Sequence, residues 1–196
     1  MGCLFSSKEN RQPIHSTLGF SFVPPGGSGW YENFGTTGIT YFKKTNPESL
    51  SLYAGAIEGK MRTAISNNND FLNFVKSKKD QWGSDKDRYR NISTKFVNAK
   101  NVGPYCTGYE LIAEDHKAKN LGASKFLILR TKGVFCLHPK NKKNAVDIYY
   151  SARYIPVFDF SSIMNEGESF VESLRFLKKM NKYITRHSFG RYAQKQ

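Results

Sequence analysis

The sequence predicts an α+β domain: a mainly antiparallel sheet flanked by helices. Three observations carry this expectation. Apolar–polar alternation recurs in short runs such as LGFSFVP and YCTGYELIAE, the pattern of half-buried strands. Only two segments, NNNDFLNFVKSKKDQWG and NEGESFVESLRFLKKM, space their apolar residues as one face of a helix. The order is strands, helix, a meander of strands, then helix, without the regular alternation that builds a parallel sheet.

Residues 3–16 (CLFSSKENRQPIHS) are polar, hold one proline and show no period, so residues 1–16 read as a flexible tether. The domain is expected to run over 17–180. Its first strand is LGFSFVP, with Leu18, Phe20 and Phe22 alternating against small or polar neighbours. PPGGSGW then breaks the pattern before Trp30. GGSG lacks the Lys-Ser/Thr of a phosphate loop and precedes no helix, so it reads as a turn. ITYFKK and SLSLYAGAIEG are two further strands, joined by the turn residues Asn46-Pro47. In the first helix Asn69 is the expected N-cap and Asp70 sits in the first turn. Phe71, Phe74, Val75, Lys78 and Trp82 share a face, and Gly83 ends the helix.

Four strand-like runs follow: NISTKFVNA, YCTGYELIAE, KFLILRT-KGVFCLH across Lys132-Gly133, and NAVDIYYSARY. In the second helix Asn165 and Glu168 resemble a capping box, with Phe170, Leu174 and Leu177 lining one face over Val171. Residues 181–196 form a basic tail.

A length of 196 residues bounds the chain to one domain with tails. Fifteen phenylalanines and eleven tyrosines supply enough aromatic area for a real core and argue against disorder. No stretch approaches the ~18 apolar residues of a membrane span, so a membrane location requires an anchor. The net charge of +14, from 30 Lys+Arg against 16 Asp+Glu, predicts attraction to an anionic surface or an acidic protein partner. The lysines cluster at 76–79, 140–143 and 178–182 without interleaved aromatics, so nucleic acid is not the expected partner. Lys140, Lys142, Lys143 and Arg153 are the candidate contacts to an anion or acidic partner; Asp147 and Arg153, flanking YYS, could instead pair with each other.

The chain has three cysteines. Cys3 follows Gly2 at the start of MGCLFSSKEN. Gly2 with Ser6 fits the N-myristoylation pattern, with Cys3 as a neighbouring palmitate site. Gly2-Cys3 also fits the end of a bacterial lipobox, where Cys3 itself carries the lipid. Cys106 and Cys136 lie in strands of one meander, with residues 126–132 as an intervening strand, so a disulfide or two buried free thiols fit the spacing. A lipidated Cys3 with a Cys106–Cys136 bridge accounts for all three and needs an oxidising compartment.

The residues offer thin material for catalysis. Cys136 and His138 point the same way in a strand, as a nucleophile or metal site would need, but no base–orienter set accompanies them. Adding Cys106 and His116 lacks the short loop spacing of a zinc knuckle. No catalytic residue, cofactor or metal is expected. Asn91-Ile92-Ser93 is a glycosylation sequon, meaningful only in a eukaryotic secretory protein.

FSFVPPGGSGW is similar to the opening of PsbP-type domains, where an F-x-F-x-x-P strand runs into a turn closed by Trp. GVFCLHP, VDIYYSAR and EGESFVESLRF resemble corresponding stretches of small uncharacterised bacterial lipoproteins with a PsbP-like domain. The resemblance spans residues 18–178 loosely. It implies an α/β/α sandwich around an antiparallel sheet, and favours the lipobox reading of Cys3 on a periplasmic or other extracytoplasmic membrane face. It also implies a binding or assembly module instead of an enzyme. The rival readings are a thiol or metal hydrolase using Cys136 and His138, and a cytosolic peripheral protein myristoylated at Gly2.

Overall fold

In the computed structural model, residues 11–45, 50–81, 85–119, 124–156 and 161–178 are described. Residues 1–10 and 181–196, and with them Gly2 and Cys3, lie outside this set, as do Asn46-Pro47, Trp82 and Gly83.

Seven strands form one antiparallel sheet: β3 (Tyr31–Phe34), β4 (Gly38–Lys44), β5 (Ser51–Lys60), β6 (Tyr89–Asn98), β7 (Cys106–Asp115), β8 (Leu127–His138) and β9 (Asn141–Tyr154). Their spatial order is β3-β4-β5-β9-β8-β7-β6. Three short strands, β1 (Ile14–His15), β2 (Phe20–Phe22) and β10 (Arg175–Phe176), make a second small sheet with β2 at its centre. The helices are α1 (Asn68–Asp80) and α2 (Ser161–Glu172). The expected α+β class, mainly antiparallel with packed helices, is what the chain adopts.

Alternation along β9 assigns the two sheet faces. Val146, Ile148, Tyr150 and Ala152 join the larger core, with Phe20, Phe22, Trp30 and Phe170 from the small sheet, the glycine-rich turn and α2. Ala145 instead meets Leu137 and the α1 residues Phe71 and Val75. Side chains at successive strand positions point to opposite faces, so the two helices lie on opposite sides of the sheet.

Several expectations are corrected. Ordered backbone reaches into the segment read as tether, because Ile14 and His15 pair with Phe22 and Ser21. β2 is buried on both faces, with Ser21 as covered as its phenylalanines, where half-burial was expected. The N-cap of α1 is Asn67, not Asn69: its Oδ1 accepts from the N–H groups of Asn69 and Asp70, both at 2.9 Å. The run of three asparagines hid which one caps. The buried lysine on α1 is Lys79, one helical step beyond Phe71 and Val75, while Lys78 is exposed. β8 is continuous through Lys132-Gly133, so residues 126–132 are no separate intervening strand. Finally, α2 begins before Asn165 and ends at Glu172. Asn165 and Glu168 are therefore mid-helix, and Leu177 follows a strand. The Ser173 hydroxyl ends the helix by donating to the Phe170 carbonyl and accepting from the Val23 N–H.

Candidate anion-binding end of the sheet

The β8–β9 turn sits at one end of the large sheet, and the pairing of β7 with β8 fixes it. Leu137 N–H donates to the Tyr105 carbonyl at 2.9 Å, which makes 105/137 a hydrogen-bonded position and 106/136 a non-hydrogen-bonded one. Facing side chains come closest at the latter. Cys106 and Cys136, direct partners in the register, use it for a disulfide with Cα atoms 4.2 Å apart. The bridge clamps both strands next to the turn.

Beyond it, Pro139 and Lys140 reverse the chain, and a bulge between Leu137 and His138 lets Asn141–Asn144 run on past the end of β8. Lys140, Lys142 and Lys143 are all exposed there. The Lys142 ammonium stands 4.0 Å over the Tyr105 ring, and Lys140 Nζ donates to the Lys178 carbonyl at 3.3 Å. Met61 N–H donates to the Lys143 carbonyl at 2.7 Å, which brings the exposed Lys60 and Arg62 to the same end. Lys100, on the loop that carries Tyr105, adds a further cation. Among the described residues, none of these six has a carboxylate within salt-bridge distance, although ion pairs are common elsewhere in the fold. Lys60, Arg62 and Lys100 are the members that sequence reasoning missed.

A buried polar layer lies beneath. Asn144 Nδ2 donates to the Leu18 carbonyl at 2.9 Å, holding the 16–19 turn onto the sheet. His138 is buried, with its Nδ1 accepting from the Lys140 N–H at 3.2 Å, so the ring hydrogen lies on Nε2. Among the described residues that N–H has no partner, and it faces Gly19, whose φ of +93° suits only glycine. Glu58 is also buried, touching the Ser16 hydroxyl, and its Oε1 has no partner among the described residues. Desolvation pushes its carboxyl up to about 7.

Arg153 is not part of this end. It lies ten residues from Lys143 along β9, with Nε 3.3 Å from Asp115 Oδ2 and a terminal nitrogen 3.2 Å from the Tyr89 hydroxyl. Arg88 grips the same fully buried carboxylate twice at 2.8 Å. The Asp147–Arg153 pair is therefore not formed. Asp147 instead receives the Lys79 ammonium and the Tyr109 hydroxyl, the latter at 2.8 Å. Burial pulls the Lys79 ammonium below its ordinary range and drives the Tyr109 phenol well above.

The residues weighed for chemistry are not assembled. The Cys136 sulfur is bonded to Cys106, and His138 is enclosed by the rings of Phe20 and Phe176. His116 lies past the far end of β7, 2.9 Å from Glu114. The sequon Asn91 sits at a strand irregularity with φ +49°, its amide donating to Glu114. No protein-family model matches the chain, and no curated protein matches its sequence.

Proposed function

We propose that this protein is a non-enzymatic binding or assembly module that engages an anionic partner through the cationic end of its sheet, while a lipid on Cys3 holds it to an extracytoplasmic membrane face. The observation that carries the reading is the convergence, around a turn clamped by the disulfide, of cations with no carboxylate partner among the described residues. Cations held on a rigid frame give up little entropy when they meet an anion, and their charges steer its approach. The disulfide supports an oxidising compartment, as the lipoprotein resemblance implies. The packing of one helix on each sheet face supports the PsbP-type sandwich. The hydrolase alternative loses its nucleophile while Cys136 is bridged.

Polyphosphate binding tests the site. Lys140, Lys142 and Lys143 changed together to glutamine are expected to weaken binding at least about tenfold and flatten its salt dependence. Unchanged affinity and slope reject the site. Membrane fractionation tests the anchor: native protein should stay bound through a high-salt wash and be released by Cys3→Ser. Release by salt alone, with Cys3 unmodified by mass, refutes the lipoprotein reading.

A further inference from the structure

The 16–19 turn closes over the buried polar layer at the cationic end. Ser16 N–H donates to the Phe20 carbonyl at 2.8 Å, and Gly19 N–H to the Ser16 carbonyl at 3.3 Å, which shapes the turn. Two bonds from other elements hold it down. Asn144 Nδ2 donates to the Leu18 carbonyl, and Leu177 N–H donates to the Gly19 carbonyl at 2.8 Å. Glu58 lies beneath, in contact with Ser16. Glu58 and Cys136 both pair with Val146, so the carboxyl shares a sheet face with the disulfide. Asn144, opposite Lys60, is the diagonal neighbour of Glu58 on that face. The turn is thus gripped by the residue beside the carboxyl it covers.

Glu58 is only 9% exposed, and its surroundings are uncharged. Asn144, Val146 and Ile148 of β9 and Ile39 of β4 are its neighbours on this face. The titratable side chains at this end of the surrounding elements are Lys60 on β5, His138 on β8, His15 on β1, and Arg175 and Lys178 at β10. None of them acts on the carboxyl: burial raises it, and the Ser16 hydroxyl lowers it to a smaller extent. Covered, the carboxyl keeps its proton up to about 7; exposed to water, it returns to its ordinary 4.5. The turn also touches the frame of the cations. Asn144 directly follows Lys143, and the His138 ring against Gly19 accepts the Lys140 N–H.

We infer that Glu58 and the 16–19 turn form a proton-operated latch on the cationic end, seated while the carboxyl is neutral and released when it is charged. The inference rests on the proposed function for its ligand and adds the regulation of that site. Among the described residues, a charged Glu58 has one hydroxyl and no cation to receive it, so ionisation favours any movement that admits water. The element in the way is the turn, which two side bonds hold. Seated, it packs against Asn144 and His138 and keeps Lys143 and Lys140 in place. Released, it leaves both residues without that support, and the lysines must be ordered anew by each anion they meet. Anion binding and proton uptake are therefore linked, with tighter binding where Glu58 is protonated.

Hydrogen exchange and titration with long-chain polyphosphate, at about pH 5.5 and pH 8, test the latch on the full chain. Glu58→Gln, which fixes the neutral form, is the comparison, with circular dichroism as the folding control. After correction for intrinsic exchange rates, the Ser16 and Leu177 amides should open about 30-fold more often at the higher pH, as a carboxyl moving from about 7 to 4.5 requires. They should also open far more often than amides of the β7–β8 pair, and Glu58→Gln should remove the rise. Polyphosphate should bind at least about threefold more weakly at the higher pH, and Glu58→Gln should lose most of that difference. Turn amides that open only as often as those of β7–β8, or a rise that Glu58→Gln retains, overturn the latch. Native affinity equal at both pH values overturns its link to the cationic end. The triple lysine variant at the lower pH judges the cationic end alone: normal binding there rejects the proposed function, while the exchange results still judge the latch.

Discussion

Lys79 of α1 reaches Asp147 of β9 beneath the helix, with its ammonium 3.9 Å from the centre of the Tyr109 ring. Asp147 thus holds a lysine on one oxygen and a phenol on the other. Removing one partner strands a buried charge. Lys79→Ala is expected to destabilise the fold by about 3–5 kcal/mol, read by urea unfolding. Lys79→Met combined with Asp147→Leu should recover most of that loss. A double variant as unstable as the single would show that packing, not the uncompensated carboxylate, carries the cost.

The Cys106–Cys136 bridge should be present in protein made in an oxidising compartment. Thiol blocking without reduction, followed by mass spectrometry, is expected to leave both cysteines unlabelled, and labelling of both refutes it. Changing both to serine should cost about 2–5 kcal/mol.

Glu58 makes stability depend on pH with a sign opposite to that of a paired carboxylate. Its ordinary value is 4.5 and its value in the fold is about 7, so the native state holds the proton more tightly. The contribution of Glu58 is fully present below pH 4.5 and is lost as pH rises to about 7, about 3 kcal/mol in total. Thermal melts of the protein and of Glu58→Gln should therefore diverge over that window. Parallel curves would place the effect elsewhere.

Gly19→Ala tests the 16–19 turn. The added Cβ would sit 2.8 Å from His138 Nε2 at a positive φ, so a loss of about 1–3 kcal/mol is expected. The same substitution at Gly59, which faces open space, should cost under about 1 kcal/mol.

Strands were legible because alternation is a local signal, and Tyr109–Asp115 of β7 and Val146–Tyr150 of β9 follow it residue by residue. β8 was harder. Lys132-Gly133 looks like a turn, yet Gly133 is there because the Tyr109 hydroxyl crosses it, where a Cβ would lie 2.5 Å away. β1 and β10, each of two residues, are too short to show any period. The cationic end was half visible: 140–143 is a run in sequence, whereas Lys60, Arg62 and Lys100 join it only through tertiary pairing. Lys79 sits in a run of lysines that reads as a solvated face, and only the acid opposite explains its burial. The cross-strand row of Tyr31, Phe42 and Tyr53 draws one residue from each of three strands, so no single segment announces it.

The strand order also divides the route by which the chain reaches this structure. Every neighbouring pair in the large sheet joins consecutive strands, except β5 with β9. Hairpins close cheaply, whereas that one junction must span α1 and three strands before its pairing is rewarded. The β3–β5 unit and the β6–β9 unit can therefore form separately, and their zipping along β5–β9 is the expected slow step. Pulse-labelled hydrogen exchange during refolding should protect amides of the β7–β8 pair before those shared by β5 and β9. Simultaneous protection would refute the two-stage route. In such an order the disulfide would close within one early unit, and the aromatic row of Tyr31, Phe42 and Tyr53 within the other.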